Sequence, residues 1–564
     1  MAILAALFLC LCFPLLGSLA HWRADERFYT DAALRMVQTG DWLSPTYADG
    51  SPRFKKPVLS YWAILASWKS LGIGYESTRL PSLLAGTGTV WLTFELALLL
   101  WRRPREALVA AAITGSNMTV MLLSTRSTPD IFLCFFTTAS LLGFAGLILR
   151  RKLSTGYYAL AYFGAALAVA TKGLAGILPV LYAYLYCALA RPRGVRLRDL
   201  IHPAIMVCAV AIPATWFALA VAKHGRFALM DLFMDQIGRR LSGSKVYILA
   251  NLGHYLGSVT GQFLPWSLLA LTALAANSLK CLEQFRIHRR EALFAAGWVL
   301  MLYILFACGN QQRARYLLPA YPQVALLLAL AIGSSIRNET FPRPVEWTVR
   351  LLYALGLTAG IGLMTMAPLI GIPMAAGGII AAAAVLFAVV TWRWAATHRL
   401  AALGVCLLLI MVVITRGVMG AFFLSPARTI VDRVRGWNPD CARIPVAGLH
   451  SNYVCQIRVI SGGRIEPLVI QDERYDDALR AAGAVVCSDA VLRRWNPVDC
   501  LIEPCGRSGR EWNRRDVVAF LNPRMRENAL TAKRMTYHLI MITRAVTQLP
   551  APPPAAVPQP GGKS

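Results

Sequence analysis

A few ionisable residues stand out in an otherwise apolar chain, and their types suggest a chemistry. Asp25 and Glu26 are adjacent, Asp130 opens an apolar stretch in the run Thr-Pro-Asp, and Lys172 lies between two further apolar stretches. Lys55 and Lys56 stand immediately before Pro57, Arg239 and Arg240 are consecutive, and Arg313, Arg315 and Tyr316 cluster before another apolar stretch. Carboxylates in such a setting can orient or deprotonate a nucleophile. Clustered Lys and Arg can hold a phosphate and neutralise charge that grows on it. Each residue also has a plainer role: Asp25 and Asp130 can cap helices, Lys55 and Lys56 can form a solvated basic turn, and span-end Arg residues can snorkel. Their convergence on one face of a membrane favours the chemical role.

The 564 residues are 57% hydrophobic and 15% charged, yet 57 Lys and Arg against 29 Asp and Glu leave a net charge of +28. A soluble protein would carry more charge, and a basic nucleic-acid-binding or disordered chain would lack the large apolar side chains. A bilayer is the natural solvent, and no nucleic-acid partner is indicated. About thirteen apolar stretches are long enough to cross it: residues 2–20, 80–100, 107–124, 131–149, 157–170, 174–190, 201–221, 259–276, 291–308, 317–335, 349–369, 373–392 and 401–421. The first also has an alternative reading as a signal peptide, which its lack of a basic leader and its long apolar run disfavour. Every second loop is short and basic, for example Arg102, Arg103 and Arg105, or Arg150, Arg151 and Lys152. Such loops stay in the cytoplasm. Segments 21–79 and 222–258, the turns carrying Asp130, Lys172 and Arg313–Tyr316, and the C-terminal tail then face the opposite side, the periplasm of a bacterium. Cations retained on that face call for something anionic there, and a lipid phosphate fits.

Residues 24–40 place apolar side chains at helical spacing, ending at Gly40, which predicts an amphipathic helix along the membrane surface. Its acidic start suits the helix dipole. A second external helix is expected over 57–71, with Pro57 in its first turn and Lys55–Lys56 beside its free backbone donors.

The ordered series Asp25-Glu26, Gly40-Asp41-Trp42, Phe54-Lys55-Lys56-Pro57, Tyr61-Trp62, Arg79-Leu80-Pro81-Ser82, Thr128-Pro129-Asp130, Thr171-Lys172-Gly173 and Tyr316-Leu317-Leu318-Pro319 resembles the polyprenyl-phosphate-sugar-dependent membrane glycosyltransferases of the GT-C fold. Within that class it resembles the bacterial aminoarabinose transferases that decorate lipid A, themselves similar to protein O-mannosyltransferases. The likeness runs through roughly residues 1–421. It implies a polytopic α-helical membrane domain that moves a sugar, an amino sugar among the candidates, from undecaprenyl or another polyprenyl phosphate to a lipid or glycan acceptor such as lipid A. The reaction would take place at the periplasmic face of the inner membrane. It further implies catalytic roles for Asp25, Glu26 and Asp130. Lys56, Lys172 and Tyr316 fall on positions associated with the donor phosphate, and Arg239, Arg240, Arg313 and Arg315 are added as phosphate-binding candidates. Two competing readings are a protein O-mannosyltransferase and a membrane transporter. A missing large loop insertion disfavours the first, and the lack of an inverted repeat with broken helices disfavours the second.

The chain departs from the family at two places. Aminoarabinose transferases carry Phe-Glu-Lys-Pro where this chain has Phe54-Lys55-Lys56-Pro57, so an acid able to bind metal is replaced by a cation. No cofactor is therefore assigned, and a divalent metal is disfavoured at that point. The Arg expected three residues after the essential acid is Phe28, with Arg27 beside it.

From about residue 422 the composition becomes that of a soluble domain. A small, Cys-rich periplasmic α/β domain is expected over 422–548, with strands in IPVAGLH, CQIRVISG, IEPLVI and AVVCSD and helices in ERYDDALRAAG and 513–533, followed by a Pro-rich tail at 549–564. Cys441, Cys455, Cys487, Cys500 and Cys505 would form two disulfides and leave one thiol in an oxidising compartment, with five buried thiols as the alternative. His254 and His450 read as structural. There is no GxGxxG, Walker or HExxH motif, so a nucleotide donor has no evident cradle.

Overall fold

The computed structural model describes residues 1–18, 24–47, 49–192, 194–233, 248–309, 313–336, 340–370, 373–391, 393–418, 425–470, 473–498, 500–509 and 534–542. The chain divides into two compact units, Met1–Phe423 and Leu424–Ser564. Arg239, Arg240, the helix expected at 513–533 and the tail at 549–564 lie outside the described residues.

The first unit is helical. Among the described residues nine helices are long and apolar enough to cross a membrane, and two bent pairs raise the number to eleven. The sequence count of thirteen is larger because it includes the short apolar helix Ala2–Leu15 and divides the 36-residue stretch Thr155–Ala190 in two. Side-chain geometry favours that division. The hydroxyls of Tyr162 and Tyr184 are 3.3 Å apart, whereas 22 residues of straight helix would separate them by roughly 33 Å. The stretch folds back at Gly173–Ile177, where a Cβ on Gly176 would lie 2.1 Å from the Val169 backbone nitrogen.

Helices Pro129–Leu149 and Thr155–Lys172 also run antiparallel, and their backbones touch. A Cβ on Gly143 would stand 2.3 Å from the Ala161 nitrogen, and one on Gly164 would stand 2.7 Å from the Ser140 nitrogen. Small residues allow this approach in the absence of a hydrophobic drive between helices. Because the pair is antiparallel, Asp130 in the first turn of one helix meets Lys172 in the last turn of the other.

The two bent pairs brace each other. Pro104–Gly115 and Met118–Ser124 meet at 63°, and Ile248–Gln262 and Trp266–Ala276 meet at 92°. Asn117 restarts its helix by accepting from the Thr119 and Val120 N–H groups, and it donates to the Gln262 carbonyl oxygen at 3.0 Å. The Trp266 indole donates to Ser116 Oγ at 2.9 Å. Backbone groups freed by a break in an apolar surround must find such partners.

The second unit contains a five-stranded mixed sheet of order β2-β1-β3-β5-β4, with β1 Arg443–Ala447, β2 Glu466–Val469, β3 Ala484–Ser488, β4 Cys500–Gly509 and β5 Arg534–Ile542. The first three strands are parallel, and β5 is antiparallel to both β3 and β4. The segment CQIRVISG is not a strand. It lies in helix Ser451–Ile460, capped by His450, whose Nδ1 accepts the Asn452 N–H at 3.2 Å. The expected disulfides are also absent: all thirteen cysteines are free. Burial pushes the Cys487 and Cys505 thiols up to about 12.

Candidate active site

Helix Ala24–Thr39 buries Tyr29, Ala32, Ala33 and Met36 against Tyr61, Leu65 and Trp68 of helix Leu59–Leu71. This packing fixes the direction of the two acids in its first turn. Successive helical residues diverge by about 100°, so Asp25 and Glu26 face different surroundings.

Glu26 is fully buried and accepts from Arg79 through Nε at 2.6 Å and Nη2 at 2.9 Å, and from the Ser127 N–H at 2.9 Å. Arg79 also donates to the carbonyl oxygens of Leu16 and Ser18 at 2.8 and 2.6 Å. The pair therefore ties together the end of the first helix, the external helix, helix Tyr75–Trp101 and the loop before Asp130. Asp25 points elsewhere: its Oδ2 is 2.5 Å from Arg315 Nη1, and its side chain is 40% exposed.

Asp25 opens onto a cavity of about 320 Å³, shared with Phe28, Tyr29, Tyr47, Arg53, Lys55, Lys56, Thr128, Pro129, Asp130, Lys172, Arg313, Arg315 and Tyr316. Here Lys172 Nζ donates to Asp130 Oδ1 at 2.6 Å, with both side chains nearly buried. Lys172 Nζ also lies 5.4 Å from the centre of the Tyr316 ring. Six cations line the cavity against two carboxylates, an excess of four positive charges. In a low-dielectric surround such an excess is a strong attractor for an anion.

Of the residues expected from sequence, Asp25, Asp130, Lys56, Lys172, Arg313, Arg315 and Tyr316 line this one cavity. Glu26 does not line it, because its carboxylate is committed to Arg79. Arg53 was overlooked as a site residue. Nearly buried, it hydrogen-bonds the Tyr61 hydroxyl and lies 5.4, 5.0 and 5.7 Å from the rings of Phe28, Tyr29 and Tyr47. A guanidinium thus stands beside Phe28, where the family pattern expected an Arg. Burial also raises the Tyr29 phenol well above its usual range, so it stays neutral. The signal available in the sequence was the density of aromatic residues around Arg53.

The loop carrying Arg53, Lys55 and Lys56 is fastened to helix Pro203–His224 and the helix that follows. Asp41 pairs with Lys223 at 2.7 Å, Ser44 Oγ meets His224 Nε2 at 2.7 Å, and the Phe54 N–H donates to Asp231 at 3.0 Å. Nothing in the donor set suits a divalent metal. Both carboxylates of the cavity are ion-paired, Lys55 adds a cation where the family has an acid, and no cluster of three His, Cys, Asp or Glu occurs among the described residues.

The profile of the family described as dolichyl-phosphate-mannose-protein mannosyltransferase matches residues 1–227. The structure superposes on ArnT from Cupriavidus metallidurans in the apo state with TM-score 0.67 at 18% identity, covering 95% of this chain and 97% of that one. Against the same protein bound to undecaprenyl phosphate the TM-score is 0.65. The chain therefore shares the polytopic helical fold of this class of membrane protein. Within that class it is similar to the undecaprenyl phosphate-alpha-4-amino-4-deoxy-L-arabinose arabinosyl transferases. It is 29% identical to that of Serratia proteamaculans over 421 residues, covering 70% of this chain and 73% of the relative. It is 30% identical to that of Pectobacterium atrosepticum over 356 residues, 62% of each chain.

Proposed function

We propose that this protein transfers a sugar from an undecaprenyl-type polyprenyl phosphate to a lipid or glycan acceptor, lipid A being the leading candidate, at the periplasmic face of the inner membrane. The observation that carries this reading is the cavity in which two ion-paired carboxylates sit among six cations. It suits a sugar linked to one phosphate, with the lipid tail left in the bilayer.

The reaction is a single displacement. An acceptor oxygen forms the new bond to the anomeric carbon, and the bond from that carbon to the phosphate oxygen breaks. The electron pair leaves with the polyprenyl phosphate. Lys56, Lys172, Arg313 and Arg315 neutralise the charge growing on the phosphate, and Tyr316 lies against Lys172. Asp25, oriented by Arg315, positions the acceptor and stabilises positive charge on the sugar. Where the acceptor is a hydroxyl, Asp25 takes its proton as the new bond forms; where the acceptor is itself a phosphate, no strong base is required. Asp130 holds Lys172 in place, and Glu26 holds the helix that presents Asp25. Arg239 and Arg240 remain candidates for further phosphate contacts. The alternation of basic loops supports a periplasmic position for the C-terminal unit.

The test is reconstitution with an undecaprenyl-phosphate amino sugar and lipid A, following released undecaprenyl phosphate and the mass of the acceptor. Asp25→Asn should abolish both signals, and full activity in that variant would overturn the assignment. The match to the protein mannosyltransferase profile supports a second reading with a protein acceptor. Sugar appearing on a periplasmic protein, with lipid A unmodified, would select it.

A further inference from the structure

Helix Tyr75–Trp101 begins beside the active cavity, where Arg79 holds Glu26, and its 27 residues carry the chain about 40 Å to Arg102. At that far end lies a second cavity, of about 660 Å³. Arg102, Arg103, Arg105 and Lys280 line it with Glu106 and Glu283, an excess of two positive charges. Arg103 and Glu106 are paired at 3.2 Å. The twelve-residue helix Pro104–Gly115 starts there without a side-chain cap, which adds the positive end of its dipole. Gln284 also lines the space, and its Oε1 is buried without a hydrogen-bond partner.

Cations at this end are expected from membrane topology, but topology requires only their number. Arg150 shows the ordinary case: it is spent on the carbonyl oxygens of Leu99 and Leu100 and on Glu291. At the second cavity four cations from two separate helix ends converge on one concave space. An unpaired acceptor lies among them, suited to a hydroxyl donor.

We propose that this cavity is a second phosphate site, distinct from the active cavity. It would take a phosphate ester, held by Arg102, Arg105 and Lys280, with a neighbouring hydroxyl donating to Gln284. Two sources carry that chemistry: the glycerol-phosphate headgroup of an anionic lipid in the leaflet opposite the active site, and soluble phosphate. Basic pockets between membrane helices recognise such headgroups.

The full-length protein in phosphatidylcholine nanodiscs is titrated with phosphatidylglycerol, and retained lipid is counted by native mass spectrometry. A parallel arm measures the shift in melting temperature with inorganic phosphate against chloride at equal ionic strength. The double variant Arg102→Gln/Lys280→Gln should weaken retention, or the phosphate shift, by about tenfold or more. The charge-conserving Arg102→Lys/Lys280→Arg should retain most of it. Arg191→Gln/Arg198→Gln, which removes the same charge at exposed positions outside the cavity, should change neither. Loss in the lipid arm assigns the headgroup, and loss in the phosphate arm alone assigns soluble phosphate. Equal loss in both Gln double variants, or no loss in the cavity variant, overturns the proposal.

Discussion

Replacing Asp25 and Glu26 one at a time by their amides should give opposite phenotypes, although the residues are neighbours of the same charge. Glu26 and Arg79 are both 0% exposed, and the carboxylate accepts three hydrogen bonds. In Glu26→Gln an amide NH2 must face one of the guanidinium donors, and a buried cation loses its counter-charge. Breaking such a pair costs about 3–5 kcal/mol, a large share of the roughly 5–15 kcal/mol that holds a domain folded. Glu26→Gln should therefore melt well below the parent in detergent and yield little folded protein. Asp25 is 40% exposed and its partner Arg315 is 27% exposed, where solvent screening limits a pair to about 0–1 kcal/mol. Asp25→Asn should melt close to the parent. Its transfer rate should nonetheless fall by at least about 100-fold, the scale of losing one preorganised electrostatic contact. The assay pairs a thermal unfolding curve with transfer measured per mole of folded protein. Comparable melting of the two variants, or an active Asp25→Asn, would refute the division of labour.

Lys172→Met should remove both activity and stability, because it strands the nearly buried Asp130. Adding Asp130→Asn should restore the melting temperature without restoring transfer, and melting curves of the single and double variants check this. Lys55→Glu, which restores the acid common in the family, lowers the positive excess of the cavity by two. It should raise the KM for the polyprenyl-phosphate donor more than it lowers kcat, and an unchanged KM would place Lys55 outside donor binding. Maleimide labelling after denaturation without reductant should add thirteen groups, one per cysteine, and an even deficit would reveal disulfides. In the folded protein at about pH 8 Cys487 and Cys505 should resist labelling, since burial holds both as neutral thiols.

The spans were legible because a bilayer imposes length and apolarity together, and Thr155–Ala190 was divided correctly at the glycines that let the chain reverse. The fate of Glu26 was also open to reading. It lies one helical turn before Thr30 and in register with Ala33, both buried, so it belonged to the packed stripe rather than to the cavity. Its partner was not legible, because Arg79 lies 53 residues away and only tertiary packing brings them together. Ser451–Ile460 was misread because a short apolar run fits a strand as well as a helix, and His450 as its cap was the missed clue. Strands β4 and β5 were passed over, and pairing with β3 explains why they form where local pattern was weak.

The pairing of both cavity acids has a consequence for how the active site works. A phosphate entering a site whose only cations were Lys172 and Arg315 would have to pull them from Asp130 and Asp25, with the loss of two ion pairs offsetting much of the gain. On the proposed reaction the four further cations that line the cavity, Arg53, Lys55, Lys56 and Arg313, would ease that competition by adding positive charge while the pairs stay intact. The carboxylates would then act as fixed struts for Lys172 and Arg315, so that little reorganisation would be needed when negative charge develops on the leaving oxygen. In a site that works by an excess of positive charge, Lys55 in place of the family's acid would strengthen the donor side.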